Sequence, residues 1–246
     1  SYTEYLCVAA DRVVPAPDGL DPEAAVAMIL SYTTAYQMLT RIRSLTPGMS
    51  CLVHAAGGAV GTALLELGQL MGLKVYGTAS EGKHDLVRRY GAIAIDYRRE
   101  DFEAVIARET DGQGVDAVFD TIGGANWARS YRCLKRGGLL VGFGALQVGT
   151  GEESVPSLLW GFARLLALWK LLPDGKSSTF YNIQTRREKY PDEFKDDVQA
   201  LFQLLAEGKL QPAIAECVPL DEVVQVHQRI ERAEIAGKVV LRCSEF

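Results

Sequence analysis

The chain is short of the features that mark disulfide-bonded, metal-clustered or nucleic-acid-binding proteins. Its five cysteines (Cys7, Cys51, Cys133, Cys217, Cys243) are scattered, and no C-x-x-C pair occurs. An odd, dispersed set in 246 residues reads as reduced thiols of a cytoplasmic protein, not as a disulfide frame or a cysteine-built zinc site. The three histidines, His54, His84 and His227, lie far apart, and each is expected to be structural. Basic excess is also missing. A formal net charge of −5, with no block of like charge, leaves no footprint for nucleic acid. The opening SYTEYLCVAADRVV lacks the basic start and apolar run of a secretory signal. The most apolar segment, VPSLLWGFARLLALWKLL at 155–172, is interrupted by Arg164 and Lys170 and is short of a span. A buried or dimer-facing helix is the reading it favours over membrane contact.

What is present is an ordinary globular composition, 48% hydrophobic and 23% charged, whose hydrophobic period switches repeatedly. CLVHA, KVYGTA, AIAID, VDAVFD, LLVGFG and TFYNI read as six strands. Between them GGAVGTALLELGQLM, HDLVRRYG, FEAVIARETDG and NWARSYRCLKRGG read as helices, the last closed by its two glycines. Strand–helix alternation at this spacing predicts α/β architecture, a doubly wound Rossmann domain with a six-stranded parallel sheet. PDEFKDDVQALFQLLAEGKLQP predicts an amphipathic helix ending at Gly208, and KVVLRC a final strand.

The stretch AGGAVG, residues 56–61, falls between the first strand and the first crossover helix. It fits the dinucleotide fingerprint with Ala56 in the first position, then Gly58 and Gly61. A small first residue permits the sharp turn, Gly58 lets backbone approach a pyrophosphate, and Gly61 lets helix and strand pack closely. The helix N-terminus then offers N–H groups and partial positive charge to phosphates. A glycine pattern alone is weak, but the strand before and the amphipathic helix after are the confirming context. At the end of the second strand, where an NAD site usually carries Asp or Glu, stand Thr78, Ala79 and Ser80, with Lys83 just beyond. That choice favours NADP, with Glu81 as the one carboxylate near enough to argue otherwise.

VHAAGGAVG, GTASEGKHDLVRRYGA, AIDYRRED, GVDAVFDTIGG and the closing EGKLQP…VPLDEV…H…GKVVL resemble the medium-chain dehydrogenase/reductase superfamily. The resemblance is strongest to its zinc-free quinone oxidoreductase branch, and it runs in order through nearly the whole chain. It implies a set of cofactor contacts. Thr34 in SYTTAY matches a threonine close to the nicotinamide or its phosphate, and Gly57, Gly58, Ala59 and Val60 match the pyrophosphate turn. Ser80, Lys83 and Tyr97 match the group around the adenosine ribose and its 2′-phosphate, while Thr121, Phe143 and Gly144 match the nicotinamide side. Zinc-dependent relatives carry a metal ligand just before the segment matching TTAY; here MILS, residues 28–31, holds no Cys, His, Asp or Glu.

The resemblance further implies residues 1–24 as the end of a GroES-like catalytic domain, most of which is absent, so that this chain alone is expected to be inactive. Residues 25–185 match the NADP-binding Rossmann domain, with a helical insert at about 146–178, and 186–246 the C-terminal helix and return. The implied activity is NADPH-dependent, zinc-independent hydride transfer to a small-molecule quinone or enone. Alternatives are an enoyl thioester or alkenal as substrate, or a non-catalytic NADPH-binding structural or membrane-associated role. No general acid stands out; Tyr32 is a candidate whose plainer reading is packing. The family habit implies a homodimer. The insert, with Trp160, Phe162 and Trp169, reads equally as lid, dimer contact, substrate pocket or core packing.

Overall fold

The computed structural model describes residues 2–146 and 154–243. After a single 3-10 turn at Ala10–Arg12, helix α1 (Pro22–Gln37) starts on the Asp21 carboxylate, which accepts from the N–H groups of Glu23 and Ala24. The chain then alternates through β1 (Ser50–Val53), α2 (Ala59–Leu70), β2 (Lys74–Ala79), α3 (His84–Arg89) and β3 (Ile93–Asp96). It continues through α4 (Phe102–Glu109), β4 (Val115–Asp120), α5 (Gly124–Arg132), β5 (Leu134–Gly142), α6 (Val155–Leu166) and β6 (Ser177–Phe180). Helices α7 (Ile183–Lys189) and α8 (Pro191–Ala206) follow, then β7 (Ile214–Pro219), α9 (Val223–Glu231) and β8 (Lys238–Arg242).

The six predicted strands form one all-parallel sheet in the order β3-β2-β1-β4-β5-β6. The helical crossovers between parallel strands cover both faces of the sheet, which is why the strands read as continuous apolar runs. Alternation then divides each strand between two cores. Cys51, Val53, Ala117 and Phe119 join Leu64, Met28 and Leu201 on the face covered by α1, α2 and α8. Leu52, Val118 and Leu140 turn the other way, onto Phe102, Trp127 and Leu165 of α4, α5 and α6. The strand order reverses between β1 and β4, so a crevice opens at their carboxyl ends, the usual ligand position in such sheets.

One local expectation changes. Gly137 and Gly138 do not cap α5: the helix stops at Arg132, and both glycines lie inside β5. Val115 pairs with Leu134 but Ala117 pairs with Leu139, so residues 135–138 bulge from the ladder and Gly137 takes φ +79°. Sheet pairing outcompetes the helix stop there. The described residues before α1 contain no strand; outside the main sheet, the described residues form the parallel pair β7–β8 and a parallel bridge between Gly58 and Gly237. The expected start of the insert falls partly on residues 147–153, outside the described residues. From Val155 on, the insert is helix α6 followed by a 3-10 turn at Leu168–Leu171.

Candidate functional site

The glycine turn joins β1 to α2 with almost no spare volume. A Cβ on Gly61 would lie 2.7 Å from the Ala56 backbone and closer still to the Ala55 carbonyl oxygen, so only glycine lets the helix meet the strand end. Ala55 itself takes φ +53°, the left-handed conformation that reverses the chain. Gly58 sits at the N-cap of α2 with extended backbone, and no side chain caps the helix. The N–H groups of Ala59, Val60 and Gly61 therefore have neither an intrahelical acceptor nor a capping side chain, the arrangement that receives an anion.

Lys83 lies directly over this turn. A Cβ on Gly57 would come within 2.7 Å of Lys83 Cδ, and Lys83 Nζ donates to the carbonyl of Ile235 at 2.6 Å. Burial pushes the ammonium's pKa below its ordinary value, with no carboxylate contributing to offset it. Ser80 is half-buried at the head of the 3-10 turn Glu81–Lys83. Glu81, the carboxylate that argued against NADP, is exposed and paired with Arg99 at 2.9 Å. Tyr97 is 52% exposed at the end of β3, with the Arg98 guanidinium 5.6 Å from its ring centroid. Arg98 and Arg99 thus join the neighbourhood of Tyr97 and Glu81 at the ends of β2 and β3. The two arginines were passed over in the sequence, although they stand next to Tyr97.

On the other side of the switch point, Asp120 at the end of β4 organises the second turn. One carboxylate oxygen accepts from the N–H groups of Ile122 at 2.8 Å and Gly123 at 3.2 Å; the other accepts from Asn126 Nδ2 at 2.9 Å and Ser130 Oγ at 2.6 Å. Thr121 and Gly144 touch across this edge, and a Cβ on Gly144 would run into the Thr121 hydroxyl. Phe143 N–H donates to the Asp120 carbonyl at 3.0 Å, while its ring packs onto the core beneath. Thr34 is buried in α1, close enough to Tyr181 for a hydrogen bond between the side chains.

His54 ties the two turns together. It follows β1 rather than lying within it, is buried, and sits 3.0 Å from both Thr78 Oγ1 and Ser130 Oγ. Because Ser130 donates to Asp120, its oxygen accepts from His54 Nε2–H, leaving Nδ1 to accept from Thr78. The ring is therefore neutral, and burial holds its pKa below 6.5. Thr78 in turn accepts the Ala56 N–H on its carbonyl at 2.9 Å. A buried chain Asp120–Ser130–His54–Thr78 thus runs from the Thr121 turn to the glycine turn. Tyr32 does something different: its hydroxyl donates to Glu66 inside the core, and burial together with that carboxylate pushes its pKa far up, which withdraws it as a proton donor.

Among the described residues no group of three or more His, Cys, Asp or Glu side chains gathers to hold a metal, and no helix is long and apolar enough to cross a membrane.

The architecture is that of a dinucleotide-binding α/β domain. A family profile described as zinc-binding dehydrogenase matches residues 91–241, and the chain belongs to that family. It is 28% identical over 245 residues to the synaptic vesicle membrane protein VAT-1 homolog of Danio rerio, covering 98% of this chain and 50% of that protein. It is 32% identical to a stretch of the highly reducing polyketide synthase ZEA2 of Gibberella zeae, covering 93% of this chain and 9% of the synthase. The Escherichia coli quinone oxidoreductase crystallised with NADPH superposes with a TM-score of 0.79 at 28% identity, over 94% of this chain and 68% of the oxidoreductase. The chain spans about half the length of the VAT-1 homolog it matches.

Proposed function

We propose that this chain carries the NADPH site of a reductase that delivers hydride to a quinone or an activated alkene without a metal. The observation that carries this reading is the uncapped start of α2, with half-buried Lys83 laid across it and no free carboxylate at the end of β2. When bound, the cofactor supplies the hydride from nicotinamide C4, and the protein supplies orientation and electrostatics. Gly57, Gly58, Ala59 and Val60 would cradle the pyrophosphate by backbone; Ser80, Lys83 and Tyr97 would hold the 2′-phosphate; Thr34, Thr121, Phe143 and Gly144 would line the nicotinamide side. To reach a phosphate, Lys83 has only to exchange the Ile235 carbonyl for a stronger, charged acceptor. The metal-free assignment rests on the donor set. The neighbourhood of α1 that would bring a ligand, Met28–Ser31, carries none, and the described histidines sit in separate places.

The domain reading follows the same line: residues 1–24 end a GroES-like catalytic domain, 25–185 form the cofactor domain, and 186–246 supply the C-terminal helix and the return to the catalytic domain. A homodimer and a cytoplasmic location complete the proposal. A second reading keeps the chemistry and changes the substrate to an enoyl thioester. It is favoured by the apolar outer face of α6, where Val155, Leu159 and Trp160 are exposed, and by the likeness to a polyketide synthase segment. A panel of quinones, enones and enoyl thioesters with NADPH, run on the chain joined to the GroES-like catalytic domain that the resemblance implies, separates the two. Turnover of thioesters alone would displace the quinone reading, and NADPH binding without turnover of any would point to a non-catalytic role.

A further inference from the structure

The C-terminal strand does more than close the fold. Gly58 and Gly237 form a parallel bridge, and Gly237 N–H donates to the Gly57 carbonyl at 3.0 Å. The segment before β8 is therefore laid onto the glycine turn by backbone, and Gly237 is fixed as glycine by φ +92° and by the Ala213 carbonyl, into which a Cβ would run. The next residue, Lys238, sends its side chain from that bridge towards α1. Its Nζ lies 3.5 Å from Ser31 Oγ, its one hydrogen bond among the described residues. Ser31 is buried and sits one helical turn before Thr34 on the same face of α1. The ammonium thus stands between the pyrophosphate turn and the helix face that carries Thr34.

This placement is costly as it stands. A half-buried ammonium facing one weak neutral partner and no carboxylate loses hydration without compensation, and burial holds its pKa below the ordinary lysine value. Several basic side chains elsewhere pair with acids: Arg41 with Asp197, Arg129 with Asp101 and Glu103, Lys135 with Asp116, Arg242 with Glu23. The two lysines beside the glycine turn do not. Among the described residues the Lys83 ammonium has only the Ile235 carbonyl and that of Lys238 only Ser31.

We infer that Lys238 is a cofactor-binding residue whose ammonium holds the nicotinamide-side phosphate of the pyrophosphate, a group that NADH and NADPH share. The inference rests on the dinucleotide reading above and divides its labour: Lys83 chooses between the cofactors, and Lys238 holds both. Ser31 orients the ammonium, and an incoming phosphate oxygen replaces the hydration that burial removed.

The test is a titration of this chain and of Lys238→Gln, Lys238→Arg and Lys83→Ala with NADPH, NADH and adenosine 2′,5′-bisphosphate, which lacks the pyrophosphate. Lys238→Gln is expected to weaken NADPH and NADH alike by about tenfold and to leave the bisphosphate unchanged. Lys238→Arg recovers most of the loss, and Lys83→Ala shows the opposite pattern. Retained binding of adenosine 2′,5′-bisphosphate by Lys238→Gln shows that the variant is folded, so a loss of dinucleotide affinity in it is not a folding failure. Equal dinucleotide affinity in Lys238→Gln overturns the assignment of Lys238. A parent chain that binds neither dinucleotide overturns the cofactor reading itself.

Discussion

The glycine turn and helix α6 are both apolar, short and close to the carboxyl edge of the sheet, yet they are built on opposite terms. In the turn every residue is determined from several sides at once: Gly61 by the Ala55–Ala56 backbone, Gly57 by Lys83 and Gly237, Ala56 by Thr78. In α6 only one face is determined. A Cβ on Gly161 would lie 3.1 Å from Gly124 Cα, and Phe162 stands 5.0 Å edge-on to the fully buried Trp127. Trp169, in the 3-10 turn that follows, stacks on Tyr131 at 4.5 Å. The outer face keeps Leu159 at 63% exposure and Trp160 at 52%. The three aromatics that looked alike in sequence therefore divide: Phe162 and Trp169 pack the core, and Trp160 does not. The lesson is that constraint, not hydrophobicity, separates a built site from a surface available to something else.

Substitutions sharpen that contrast in descending order of effect. Gly61→Val is expected to be the most damaging, costing about 3 kcal/mol or more, because the new side chain meets backbone that cannot move without parting helix from strand. Chemical denaturation measures it, and a loss under 1 kcal/mol would mean that the turn relaxes freely. Next comes His54→Leu, which strands Ser130 and Thr78 and is expected to cost about 2 kcal/mol. The same residue sets a pH dependence. A histidine whose folded pKa lies below 6.5 is protonated more readily in the unfolded chain, so its contribution is intact above that pH and is lost as pH falls through it. Unfolding free energies measured from pH 8 to pH 5 should decline in the parent and decline less in His54→Leu; parallel curves would remove His54 as the cause.

Lys83→Ala tests function rather than fold: NADPH affinity should drop roughly tenfold with NADH nearly unchanged. Equal loss for both would end the 2′-phosphate role. The smallest effect is expected outside the constrained region. Trp160→Ser should change stability by no more than about 0.5 kcal/mol, whereas Phe162→Ala, two residues on and on the packed face, should cost several times as much. A Trp160 variant as unstable as the Phe162 variant would show that the outer face of α6 is covered after all.

Most of the fold was legible because its signals are local. Six strands, their order of appearance, the glycine fingerprint and the helix ending at Gly208 all follow from period and punctuation over windows of about ten residues. The errors came where tertiary pairing overrides a local cue. Gly137 and Gly138 carry a helix-stop signature, but the ladder between β4 and β5 recruits them into a bulge. The site divides in the same way. The glycine turn and Lys83 announced themselves by spacing along the chain. Lys238 and the His54–Ser130–Asp120 chain did not, because their partners lie 207, 76 and 10 residues apart and only the sheet brings them together. Arg98 and Arg99 were readable beside Tyr97, and the pairing of Arg99 with Glu81 was the missing piece, since it depends on β3 lying next to β2.

The central claim is that the turn from Ala55 to Val60 is a phosphate cradle tuned to NADPH. Side-by-side titration of the chain with NADPH and NADH, following the fluorescence of the reduced nicotinamide, tests it most directly. Tighter binding of NADPH, by about tenfold or more, is the predicted result. Equal affinity for the two, or binding of neither, would contradict it.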